Sequence, residues 1–326
     1  MPLSNRPLYA LRLNALKPCL PPDRSGDTVA LLELAASVEG IGAADLNFPD
    51  QVHPDNEAAV SEALRANGLR LNGLAMRYYG DRALALGAFT HPEASVRRAA
   101  IDLTKRGIDC AARLGAEQMT LWMGQDGFDY AFQMDYGRAW DDTISAIAEV
   151  ADHNPAIDIA IEYKPNEPRA YALMPDIGTT LLACREVNRR NLGVTLDFAH
   201  VLYADEMPAH AATLVLRHAR LMGVHLNDGY GKRDDGLMVG TVHPVATVEL
   251  FVALLRAGYG GAIYFDTFPD HSGLDPLAEA RTNVIMAERL RRIALGLMDN
   301  ADLAGAIAAQ DAPRSQRIVA AALYGA

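Results

Sequence analysis

Eight times along the chain, a short apolar run gives way to a longer stretch whose apolar residues recur at helical spacing. No other feature of the sequence limits the fold as much. The runs at residues 9–13, 42–47, 70–76, 118–122, 157–162, 192–197, 222–226 and 262–267 have the length and composition of buried strands. Helical patterns follow them at about 28–38, 55–67, 93–114, 136–152, 174–187, 206–219, 242–256 and 275–295. Strands joined through helices pair in parallel, since each helix carries the chain back along the sheet. Eight such units without a long polar linker imply a closed (β/α)8 barrel, the TIM-barrel architecture, as a catalytic domain over residues 1–298. An open doubly wound sheet is the alternative, but no Gly-rich turn follows the first run. Asp27 is placed to cap the first helix, and Pro92-Glu93 suits the start of the third. Residues 299–326 lie beyond the eighth unit. Their Ala-rich helical pattern reads as a short C-terminal extension that packs on the barrel or on a neighbouring subunit.

A barrel of this kind builds its active site at the C-terminal ends of its strands. The fourth run ends at Trp122, before Gly124-Gln125-Asp126-Gly127. The fifth delivers Glu162 and Lys164, which share one face because side chains alternate along a strand. The sixth ends in Asp197, with His200 three residues on. The seventh carries His225-Leu226-Asn227-Asp228, and the eighth carries Asp266. Three carboxylates and one imidazole on successive strands suit a hard or borderline divalent ion such as Mg2+, Mn2+ or Co2+. Without a cation the carboxylates would repel, and some would have to protonate. His200 is a candidate for a second ion or a substrate hydroxyl. The glycine-flanked stretch Gly229 to Gly236 carries Asp234 and Asp235, which with His200 and Asp197 offer a weak second metal site. The alternative for that stretch is a solvated loop.

Charge and cysteine usage narrow the partners. A formal net charge of −11 speaks against nucleic acid and anionic membrane surfaces, which need a basic footprint. Cys19, Cys110 and Cys184 are too few and scattered for a disulfide framework or a zinc knuckle. The first residues show no apolar signal core, and no apolar run approaches the length of a membrane span. A cytoplasmic location is the expectation.

Three segments resemble xylose isomerases. Glu162-Tyr163-Lys164-Pro165-Asn166-Glu167-Pro168-Arg169 looks like that family's Glu-x-Lys-Pro-Asn-Glu-Pro-Arg segment. Phe89-Thr90-His91-Pro92 with Val96-Arg97-Arg98 resembles its Phe-Thr-His-Pro and Val-Arg-Arg run, and Leu121 to Gly127 is similar to its Trp-Gly-Gly-Arg-Glu-Gly loop. The metal pattern departs from that enzyme, which has Glu at the position of Asp197 and Asp at that of His225. The set Glu, Asp, His, Asp is closer to the rhamnose isomerase branch, which also carries steps like Asp197…His200 and His225…Asp228. One carboxylate of that branch's acidic segment is missing where Gly236 stands.

The resemblance implies a metal-dependent aldose–ketose isomerase working by a 1,2-hydride shift on an open-chain sugar. Glu162, Asp197, His225 and Asp266 are then the metal ligands. Lys164 donates to the sugar carbonyl, and His200 with Asp234 or Asp235 holds a second ion or a proton-carrying water. Trp122 walls the pocket, and His91, His53 and Arg77 are candidates to contact substrate. For Arg77 the partner is a sugar hydroxyl or a phosphate, although the sequence shows no second basic residue beside it. A homodimer or homotetramer is expected by the same resemblance. The rival readings are a ketose 3-epimerase, which would use a final Glu and lack the Lys, an apurinic-site endonuclease, and a sugar-binding protein without turnover.

Overall fold

The computed structural model describes residues 7–325. Eight strands, numbered in chain order, form the barrel: β1 Tyr9–Arg12, β2 Ile41–Phe48, β3 Arg70–Met76, β4 Gln118–Trp122, β5 Asp158–Glu162, β6 Leu192–Asp197, β7 Leu221–Leu226 and β8 Ile263–Phe265. Every pairing is parallel, and β8 returns to β1 with Ile263 opposite Tyr9, so the sheet is closed. The helices between and after them are α1 Thr28–Ala36, α2 Glu57–Ala66, α3 Ala94–Leu114, α4 Tyr136–His153, α5 Ile177–Val187, α6 Pro208–His218, α7 Pro244–Arg256 and α8 Pro276–Met298. The structure is thus the (β/α)8 barrel expected from the alternation, and not an open sheet.

The strand pattern explains where the polar groups go. Leu11, Leu46, Leu74, Leu121, Ile161, Leu196 and Phe265 are buried and belong to the apolar layer between sheet and helices. Burying each such side chain stabilises the fold by about 1.5–3 kcal/mol. The residue after each must face the other way, into the barrel mouth. Those residues are Arg12, Asn47, Ala75, Trp122, Glu162, Asp197 and Asp266. On β7 the same order holds one position earlier: Val224 joins the apolar layer and His225 faces the mouth, in register with Leu196 and Asp197.

Four of the eight barrel helices begin at an aspartate. Asp27, Asp135, Asp176 and Asp275 accept from the backbone N–H of Ala30, Arg138, Thr179 and Leu277, each worth about 1 kcal/mol. The start proposed at Pro92-Glu93 shifts by one or two residues. Glu93 is the cap position of α3, makes no side-chain cap bond, and leaves Pro92 outside the helix. Beyond α8 the chain forms two further helices, Ala301–Ala308 and Ala312–Tyr324. Leu303 and Leu323 bring them into the apolar core, and the second packs on α8. Among the described residues no helix is long and apolar enough to cross a membrane.

Candidate active site

β5, β6, β7 and the residue just past β8 each supply one donor at the barrel mouth. The ligand-capable atoms of Glu162, Asp197, His225 and Asp266 all lie within 4.8 Å of one another. His225 Nδ1 is 3.1 Å from Glu162 Oε1 and 3.8 Å from Asp197 Oδ2. The local sequence holds these groups in place. Asp197 ends β6 and also caps the short helix Phe198–Tyr203, accepting from the His200 N–H at 3.0 Å. Asn227, fully buried, donates through Nδ2 to both Asp197 oxygens and to the Asp266 carbonyl, while its Oδ1 accepts from the Ala199 N–H.

The electrostatics of this cluster show what it would accept. Burial works against the His225 imidazolium, but Glu162, Asp266 and Asp197 outweigh it and hold the ring up at about 10. Burial and then repulsion by Asp197 push Asp266 up to about 7, against the pull of Arg12. Burial raises Asp197 too. Burial also pushes Glu162 up, but His225 outweighs it and holds that carboxyl down. The imidazole, Asp197 and Asp266 therefore hold their protons more firmly than usual, and a divalent cation would replace those protons. The donor set fits a hard or borderline ion. Asn227→Ala removes the bonds that orient Asp197, and such supporting bonds typically carry about 10–100-fold in metal affinity. A loss of Mn2+ affinity of that size is expected by calorimetric titration, with all four donor side chains still present.

Beside the cluster a cavity of about 330 Å3 opens at the barrel mouth. Lys164, only 8% exposed, lines it, with its ammonium 3.1 Å from Asp234, 2.9 Å from Glu167 and 5.4 Å from the Trp122 ring centroid. Burial lowers its pKa, but Asp234 and Glu167 raise it more, so the group is a firm cation. His200 is locked between the Tyr163 carbonyl, 2.9 Å from Nδ1, and Asp234, 3.2 Å from Nε2. Asp197 and Asp234 outweigh burial and hold its ring up at about 9. Asp234 thus joins Lys164 to His200, and its second oxygen, Oδ1, is buried without a hydrogen bond.

Trp122 and Arg77 line the cavity. Besides the buried donor Asp197, three candidates do not. The Asp235 carboxylate folds onto its own loop, taking the Tyr230 N–H at 2.7 Å and Arg233 Nε at 2.8 Å. The second metal site read from the sequence is therefore not assembled as read. His91 is buried away from the cavity, its Nδ1 accepting from the Glu93 N–H. His53 is 40% exposed beside Asp55. Sequence reasoning missed Arg12, Asn14, Asn47 and Asp45, which line the cavity from β1 and β2 and the turn after β1. The available signal was a charged residue inside the otherwise apolar run at 9–13.

The sequence profile of the xylose isomerase-like TIM barrel family matches residues 32–290. A xylose isomerase of Thermus thermophilus is 30% identical over 223 residues, which is 65% of this chain. The chain spans 58% of the length of that relative. Among solved structures, a xylose isomerase domain protein from Alicyclobacillus acidocaldarius superposes with a TM-score of 0.66 at 21% identity, covering 89% of this chain and 99% of its own. An L-ribulose 3-epimerase superposes with a TM-score of 0.69 at 14% identity, covering 90% of this chain and 98% of its own. At such identities these two superpositions speak to the fold alone.

Proposed function

The chain belongs to the xylose isomerase-like TIM barrel family, and from that premise we propose that it is a divalent-metal-dependent sugar isomerase. The reaction is the interconversion of an open-chain aldose and ketose by a 1,2-hydride shift. The observation that carries this reading is the buried Lys164 ammonium in the wall of the cavity that Glu162 and His225 also line. Glu162, Asp197, His225 and Asp266 would hold Mn2+, Mg2+ or Co2+, and the bound ion would supply Lewis acidity to neighbouring sugar oxygens. The Glu, Asp, His, Asp set supports placing the chain near the rhamnose isomerase branch.

The chain's own groups account for the proton traffic. In the aldose-to-ketose direction a hydride moves from C2 to C1, O2 loses its proton and O1 gains one. Lys164 donates to the carbonyl oxygen of the carbon that receives the hydride, and so stabilises the negative charge growing there. Asp234 aims that ammonium by pairing with it. The free Oδ1 of Asp234 offers an acceptor to the neighbouring hydroxyl, or to a water that carries its proton. Burial pushes the Asp234 pKa up, but His200 and Lys164 outweigh it and hold the carboxyl well below the usual range. It therefore orients the proton's carrier and does not keep the proton. Trp122 covers one side and excludes bulk water.

A ketose 3-epimerase uses proton abstraction on a similar scaffold, and the fold shared with L-ribulose 3-epimerase makes it the reading to test against. Turnover in D2O separates the two. The hydride shift keeps the substrate's own carbon-bound hydrogen in the product, whereas epimerisation installs deuterium at C3. Deuterium at the inverted carbon of a recovered 3-epimer would overturn the isomerase assignment.

A further inference from the structure

Two guanidinium groups enter the cavity from the β1–β3 side of the barrel. Arg12 ends β1, which lies across the closed sheet from β5 and its Lys164. Arg77 follows the last residue of β3. Arg12 donates to Asp270 at 2.7 Å, lies 3.6 Å from Asp266, and stacks over Phe268 at 4.7 Å. With Asp266 engaged by a metal, Asp270 is its remaining acid.

Arg77 is held differently. Its guanidinium lies 3.9 Å over the Tyr79 ring and is 20% exposed. Its Nε is buried without a hydrogen bond, and the nearest carboxylate, 3.5 Å away, is the half-exposed Asp50. Arg77 is thus a partly exposed cation with one loose acidic partner and an unbonded Nε, and a further anion would complete its donors. Asn14 and Asn47 add amides to the same wall, and His271 stands there too. A neutral sugar needs only amides and hydroxyls there. Paired guanidinium forks match the geometry of a carboxylate or phosphate.

We propose that the substrate carries an anionic group, a carboxylate or a phosphate ester, held by Arg77 and Arg12 on the side of the cavity facing Lys164. This deepens the sugar-isomerase reading and rests on it for the rest of the substrate. That both arginines line one cavity is legible only in three dimensions, because Arg12 and Arg77 are far apart in sequence.

The test is calorimetric titration of the Mn2+-saturated full chain with matched probes: D-glucuronate against D-glucose, and D-ribose 5-phosphate against D-ribose. At least one anionic probe should bind about tenfold or more tightly than its neutral partner, as one charge-assisted contact implies. Which arm shows the preference identifies the group. Arg77→Gln should reduce the anionic arm far more than the neutral one, and Arg77→Lys should recover part of the preference. Equal binding of both neutral partners and both anions, or a preference that survives Arg77→Gln, would overturn the proposal. Anion preference without turnover would retain it and remove the isomerase reading. Turnover of neutral sugars with no preference would do the reverse.

Discussion

Replacing Lys164 with Met is expected to lower kcat by roughly a hundred- to a thousandfold, while Mn2+ affinity changes by less than about threefold. Methionine has nearly the length of lysine and keeps the contact with Trp122, so the change removes charge and little packing. Lys164 is not among the four clustered donors, and its ammonium is bound to Asp234 and Glu167. After the substitution Asp234 retains His200, and Glu167 is 42% exposed and reaches water. The fold should therefore survive. Steady-state kinetics beside a metal titration check this, with the loss in kcat rather than in KM. A variant with normal kcat would remove the assigned donor, and one that lost metal binding together with turnover would make Lys164 a structural counter-charge.

Stripping the divalent ion with a chelator is expected to abolish turnover and lower Tm, with both restored by Mn2+. The cluster itself gives the reason. With protons in place of a cation, His225 is held up at about 10 and Asp266 at about 7. An ion binding only the folded state at a hundredfold over its Kd adds about 2.7 kcal/mol, a shift of several degrees for a chain of this size. Glu162→Gln should erase most of that Mn2+-dependent shift. The sign of the pH dependence follows from the same groups. Binding releases the protons on His225 and Asp266, so affinity should rise with pH and fall as the solution becomes acidic. A Tm unmoved by chelator and Mn2+ would mean that these four side chains hold no ion.

The sequence makes some of this site plain, for identifiable reasons. Glu162, Asp197 and His225 interrupt apolar strands, where an unpaired charge would be costly, so each stands out against its own surroundings. The barrel follows from periodicity, because strand and helix lengths repeat eight times. Contacts across the chain are less accessible. The bond from Lys164 to Asp234 joins residues 70 apart. Asp234 and Asp235 look alike in sequence, but the turn at Gly236, with φ of 55°, lies beside a loop that ties Asp235 to Tyr230 and Arg233. His91 sits in a segment that resembles a family motif, yet its ring serves the local backbone before α3. Arg12 is a single charge inside the apolar run at 9–13, and what it faces depends on the opposite wall, which the linear order does not show.

Glu162 and Lys164 stand two residues apart on one peptide, anchored by the register of β5 between β4 and β6. The two side chains are therefore tied by a short covalent path at one strand end, while Asp234 and Glu167, which grip the ammonium, come from the loops around it. The arginines and asparagines of the facing arc come from other segments of the chain, so under the proposed function point substitutions there would change which substrate is held and leave the carboxylate and ammonium half untouched.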